Sequence, residues 1–79
     1  MSKRLEAMRA NPAGNWRMKD VEAICKAHGL RCSAPRGGGP HYKIAHSALD
    51  DMLSILVARP IKSVYIRKLV QMVDAVLRA

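Results

Sequence analysis

The stretch Arg36-Gly37-Gly38-Gly39-Pro40 constrains the fold more than any other, because neither a helix interior nor a strand interior tolerates it. Glycine carries the largest entropy cost on ordering, and proline lacks the N–H that a helix or a ladder needs. A turn is therefore required, and a strand pattern, His41-Tyr42-Lys43-Ile44-Ala45-His46, follows at once. Side chains alternate along a strand, so Tyr42 and Ile44 point one way and His41 and Lys43 the other. The apolar pair belongs to a core. That leaves an imidazole and an ammonium side by side on an exposed face, just beyond a glycine turn.

The rest of the chain arranges itself about this turn. Ser2 is expected to cap a short helix over Lys3–Ala10 in which Leu5 and Met8 share a face, and Asn11-Pro12-Ala13-Gly14-Asn15 ends it. Trp16 is placed to staple the first helix onto the second; a lone tryptophan packs more often than it stacks on a base, and its reading is structural. Met18–His28 reads as a second helix, with Val21, Ile24, Cys25 and His28 at i, i+3, i+4 and i+7, Asp20 and Glu22 in its first turn and Gly29 as its stop. His28 falls on the apolar stripe at the helix C-terminus, where a structural role outweighs a catalytic one.

Leu30–Ala34 and Tyr42–His46 alternate apolar and polar residues, and Leu53, Ile55 and Val57 continue the pattern after a turn over Ser47–Asp51. Three short strands joined this way make an antiparallel meander. Pro60 ends the third, and a long helix is expected from about Ser63, with Ile66, Leu69, Val70, Val73, Val76 and Leu77 on one stripe and Arg67, Lys68, Gln71, Asp74 and Arg78 opposite. The predicted class is α+β in the order α-α-β-β-β-α, with helices packed on one face of a three-stranded antiparallel sheet and the other face open. By parity the covered face takes Leu30, Cys32, Tyr42, Ile44, Leu53, Ile55 and Val57, and the open face takes Arg31, Ser33, His41 and Lys43. His46 shares the parity of Tyr42 and Ile44 and is expected to be half-buried and structural.

Size and charge narrow the function classes. With 79 residues the chain reads as a single domain over 1–79, too small for a core plus a deep enclosed pocket, so any ligand sits on an open surface. The absence of Phe, with one Trp and two Tyr, makes the core aliphatic and methionine-filled. The formal net charge of +8 favours a polyanionic partner. Its distribution is uneven: Lys26, Arg31, Arg36 and Lys43 lie in an acid-free run from Ala23 to Leu49, and Arg59, Lys62, Arg67 and Lys68 in another from Met52 to Val73. Cys25 and Cys32 lack metal spacing and read as reduced thiols near a core. No segment has the ~20 apolar residues of a membrane span, and with no apolar leader pattern the expected location is cytoplasmic, with no membrane partner. His28, His41 and His46 fall on different elements or faces, so no metal is expected, and Gly37-Gly38-Gly39 lacks the Lys-Ser/Thr of a phosphate-binding P-loop. No cofactor is implied.

The helix ending in Gly29, the Gly-rich turn into Gly39-Pro40-His41-Tyr42-Lys43-Ile44, and Arg59-Pro60-Ile61-Lys62-Ser63-Val64-Tyr65-Ile66-Arg67-Lys68-Leu69 together resemble the HicA family of bacterial toxins. The resemblance runs from about Leu5 to Val76. It implies a fold like the double-stranded-RNA-binding domain, mRNA interferase activity, a HicB-like antitoxin as partner and a monomeric free toxin. The family's catalytic histidine falls on His41. This chain departs from the family in carrying Pro40 where Ser is usual, Tyr42 after the histidine and Ile44 near a common Phe; Pro40 removes a hydroxyl and an N–H beside the imidazole.

The chemistry is intelligible from the residues. RNA carries its own nucleophile, the 2′-hydroxyl, so cleavage needs a base for that proton, positive charge on the developing phosphorane and protonation of the 5′-oxygen. His41 is the candidate base and Lys43 the candidate for phosphate charge. Arg36, Gly39, Lys43, Arg59 and Lys62 are the expected RNA contacts. No acid is evident, because Tyr42 has core parity. Two other readings share the same residues: a non-catalytic RNA-binding module, and an interaction protein whose open sheet face a partner covers.

Overall fold

The computed structural model describes residues 3–79. The elements are α1 (Lys3–Ala10), α2 (Met18–His28), β1 (Arg31–Ser33), β2 (His41–Ala45), β3 (Leu53–Leu56) and α3 (Ser63–Arg78). The cap expected at Ser2 lies outside the described residues. The strands form one antiparallel sheet in the order β1-β2-β3.

Register and pleat decide which residues meet the helices. Cys32 opposes Ile44, and Tyr42 and Ile44 oppose Ile55 and Leu53, so these five share the covered face. There α2 packs on β1, α3 packs on β3, and α1 touches both α2 and α3. The core joins Leu5 and Met8 of α1, Val21, Ile24 and Cys25 of α2, Ile44 and Ile55 of the sheet, and Ile66, Leu69, Val70, Met72 and Val73 of α3. It is aliphatic, with two methionines filling where aromatic residues are absent.

Local chemistry sets the helix ends. Asp20 Oδ2 accepts the Arg17 N–H at 3.0 Å, turning back on the first turn of α2 as a cap, and Asp20 Oδ1 meets Arg4 Nε at 3.3 Å. Gly29 closes α2 with φ 72°, a left-handed value that side chains disfavour, and Leu30 donates its N–H to Cys25 O at 2.8 Å. Trp16 is structural: its Nε1–H bonds Asn11 O at 2.8 Å, and its carbonyl accepts the Ile61 N–H at 2.8 Å. It thereby ties the end of α1 to the approach of α3.

Three expectations are corrected. Val57 lies past the end of the third strand and is 39% exposed: its N–H reaches Pro40 O at 2.8 Å in register, but proline has no N–H to return, and the ladder stops there. Leu77 is 64% exposed in the last turn of α3, where the packing of the helix on the core has ended at Val76. Met72 is buried with the apolar stripe of that helix and lies beside Leu49 and Met52 of the β2–β3 turn. Asp74, expected to face solvent, accepts two hydrogen bonds from the Arg9 guanidinium, at 2.7 and 2.9 Å, and joins α1 to α3. These bonds hold its carboxyl below the usual range and raise the Arg9 guanidinium.

Candidate nucleic-acid interface

The open face of the sheet is built by the residues that alternate with the core. His41 and Lys43 stand on it two residues apart, roughly 6.5 Å along the strand, and both are exposed. Lys43 is opposed by Ser33 on β1 and by Ser54 on β3, and His41 is opposed by Leu56. The Lys43 ammonium is therefore flanked by two hydroxyls and no carboxylate, an arrangement suited to phosphate oxygens. Ser54 was not among the expected residues. The alternation Leu53-Ser54-Ile55 carried the signal, since a polar residue between two core positions must face outward.

The turn that delivers His41 is made by backbone conformation rather than by side chains. A short 3-10 turn over Arg36–Gly38 is broken by Gly37 at φ 75°, and Gly38 follows at φ 79°. Both are left-handed, where any Cβ is strained. Gly39 has an ordinary φ of −67°, and a Cβ added there would meet only Pro35 at 3.6 Å, so this position does not require glycine for its conformation. Every residue from Arg36 to His41 is exposed. The connection is anchored to β3 by the bond from the Val57 N–H to Pro40 O.

The structure brings some expected contacts together and leaves others dispersed. His41 and Lys43 share one face, Arg36 and Gly39 lie in the turn before them, and Arg59 lies two residues past the Val57 anchor. Lys62 is the N-cap of α3, where its segment is held to Trp16 through the Ile61 N–H. Among the described residues no side-chain hydrogen bond or ion pair links any two of these groups, so their cations remain available to a ligand.

The other histidines are used differently. His46 is half-buried, and its Nδ1 accepts the Ala48 N–H at 2.9 Å, as a structural turn residue does. His28 lies in the last turn of α2 with Nε2 buried and unpartnered among the described residues. Tyr42 is half-buried on the covered face opposite Ile55, which keeps its hydroxyl off the His41 side. Cys25 and Cys32 are free thiols; burial, reinforced by its neighbour Cys32, pushes the Cys25 thiol up to about 12, and burial raises Cys32 as well. Neither is an activated nucleophile. Among the described residues no group of three His, Cys, Asp or Glu side chains gathers as metal ligands do, and no helix is long and apolar enough to cross a membrane. Compared with family profiles, curated proteins and solved structures, the chain matches none.

Proposed function

We propose that this chain is an endoribonuclease that cuts RNA at the open face of its sheet, the toxin of a toxin–antitoxin pair with a fold of the double-stranded-RNA-binding type. One observation supports it above the rest: an exposed imidazole at the start of β2 stands beside an exposed ammonium, and among the described residues the imidazole has no side-chain partner and the three strands present no acid. His41 takes the proton of the ribose 2′-hydroxyl. The 2′-oxygen forms its bond to phosphorus as the bond to the 5′-oxygen breaks, and that oxygen takes a proton from the resulting imidazolium or from water. The products are a 2′,3′-cyclic phosphate and a 5′-hydroxyl.

Lys43 offsets the charge that develops on the phosphoryl oxygens, and Ser33 and Ser54 beside it supply further donors. Arg36, the Gly39 backbone, Arg59 and Lys62 hold the flanking strand. A protein that covers the open face silences the site by occlusion, which is the role proposed for a HicB-like antitoxin. Because the substrate supplies the nucleophile, the reaction as written uses no metal or cofactor.

The orientation of Tyr42 favours a second reading. With its hydroxyl on the covered side, Tyr42 is not placed to protonate the leaving oxygen beside His41, as expected of a non-catalytic RNA-binding module of the same architecture. Cleavage of end-labelled RNA in the presence of EDTA separates the two, with His41→Ala prepared identically as a control for contaminating nuclease. Cutting by the natural chain alone, with cyclic-phosphate ends, supports the nuclease. Binding by both without cutting leaves the module.

A further inference from the structure

Beyond the His41 face, the chain holds an open cavity of about 260 Å³ lined by Arg17, Met18, Lys19, Val57, Ala58 and Arg59. Three of the six are cations, drawn from the start of α2 and from the connection after β3. All three are exposed, and none has an ion pair among the described residues. Asp20, next to Lys19 in α2, is already committed to the Arg17 backbone N–H and to Arg4 Nε. The other three lining residues are Met18 and Ala58, half-buried, and Val57, more exposed than its strand pattern predicts. Apolar side chains beside three cations fit a phosphate carried on a nucleoside better than a free inorganic anion.

The cavity shares Val57 with the anchor of the turn that carries His41. Val57 donates its N–H to the carbonyl of Pro40, the residue before His41, and its neighbour Leu56 opposes His41 in the sheet. Val57 has the parity of Ile55 rather than of Leu56, so a strand lying across His41 on the open face reaches the three cations by turning round the end of β3 at Val57. At about 260 Å³ the cavity falls below the roughly 300–1,000 Å³ of pockets that enclose a whole small ligand, as expected of a subsite that takes one unit of a longer chain. From this geometry we propose that Arg17, Lys19 and Arg59 form a nucleotide subsite for the RNA strand flanking the bond cut at His41. The inference rests on the reading of the open face as an RNA-cleaving surface, and it assigns Arg17 and Lys19 as strand contacts.

A binding test keeps the two readings apart. The probe is a short fluorescent single-stranded RNA fully 2′-O-methylated, which lacks the nucleophile and survives whether or not the chain cuts. Arg17→Gln with Lys19→Gln is compared with Lys26→Gln with Lys68→Gln, a pair that removes the same charge elsewhere. The first pair is expected to weaken binding about tenfold or more and to reduce the slope of log K against log salt by roughly 0.7, one phosphate contact on a single strand. The control pair is expected to change affinity much less. Lys19→Gln alone, at an exposed residue without an ion pair, guards against loss of fold and is expected to weaken binding in the same direction. Equal weakening by both pairs overturns the subsite, as does failure of the probe to bind at ~0.15 M salt. If the subsite pair loses binding while the natural chain leaves ordinary RNA uncut, the subsite stands and the nuclease reading falls. If the natural chain cuts and the subsite pair binds like the control pair, the reverse holds.

Discussion

Strand β2 opens on one histidine, His41, and is followed by another, His46, and the connections on its two sides are built on opposite principles. The entering connection, Arg36 to Pro40, is exposed throughout and held by left-handed glycines and one backbone bond to Val57. The leaving connection is closed by its own side chain: His46 Nδ1 takes the Ala48 N–H, the His46 carbonyl takes the Leu49 N–H at 3.0 Å, and Leu49 packs against the core. An imidazole committed to holding a turn has spent the lone pair that a base requires. At the entering turn the backbone does the holding, and the His41 lone pair stays available. Free functional groups beside a rigid backbone are what a surface site needs, and glycine geometry supplies them without side-chain bonds.

The sharpest way to break this contrast is to remove each histidine in turn. His41→Ala is expected to lower RNA cleavage at least about 100-fold, the usual contribution of a general base, with unchanged thermal stability. His46→Ala is expected to leave cleavage of the folded protein near its natural rate. If the two lose cleavage equally, the assignment of roles to the two turns is wrong.

Next in size comes Ile44→Ala, at a fully buried position between the two turns. It is expected to cost about 2–5 kcal/mol in urea unfolding, through lost transfer energy and a residual cavity. A value near zero would mean that the covered face is not packed around β2.

Glycine substitutions test the backbone account of the entering turn. Ala at Gly37 or Gly38 is expected to cost about 1–2 kcal/mol each, for the left-handed φ alone, since nothing lies within 4 Å of the added methyl. Ala at Gly39 is expected to be close to neutral. Equal costs at all three positions, measured by thermal unfolding, would show that crowding rather than φ governs the turn.

Smaller still is the stability effect of His46→Ala, about 0.5–1.5 kcal/mol for one local hydrogen bond. Last comes a pH effect confined to the covered face. Cys25 is raised by burial from 9.0 to about 12, so between those values the unfolded chain has released a proton that the folded chain retains. Its contribution to stability is complete below pH 9 and is lost as pH rises towards 12. Urea midpoints of the natural chain are expected to fall more steeply over that window than those of Cys25→Ala; parallel curves would remove the thiol as the cause.

Much of the architecture was legible because short-range rules governed it. The bounds of α1 and α2 follow from apolar spacing, the Asp20 turn and Gly29, and the facing of His41 and Lys43 follows from strand parity alone. Reading failed where an element's length met its surroundings. Val57 continues the alternation of β3, yet its partner Pro40 has no N–H to carry the ladder further, and Leu77 continues the stripe of α3 beyond Val76, the last residue of that helix packed on the core. Ile61 gave no periodic signal and is nonetheless buried, because the carbonyl of Trp16 draws its backbone inward.

From residue types and spacing alone came the helix and strand order, the position of the glycine turn, the basic balance and the outward direction of the imidazole and ammonium. Each depends on intervals of two to four residues, over which backbone geometry is nearly independent of the rest of the chain. The tertiary structure alone decided which separated residues meet: Arg9 with Asp74 across 65 positions, Ser33 and Ser54 on either side of Lys43, and Arg17 and Lys19 around one cavity with Arg59. Those juxtapositions depend on how the helices close over the sheet, and packing, not local periodicity, sets that closure.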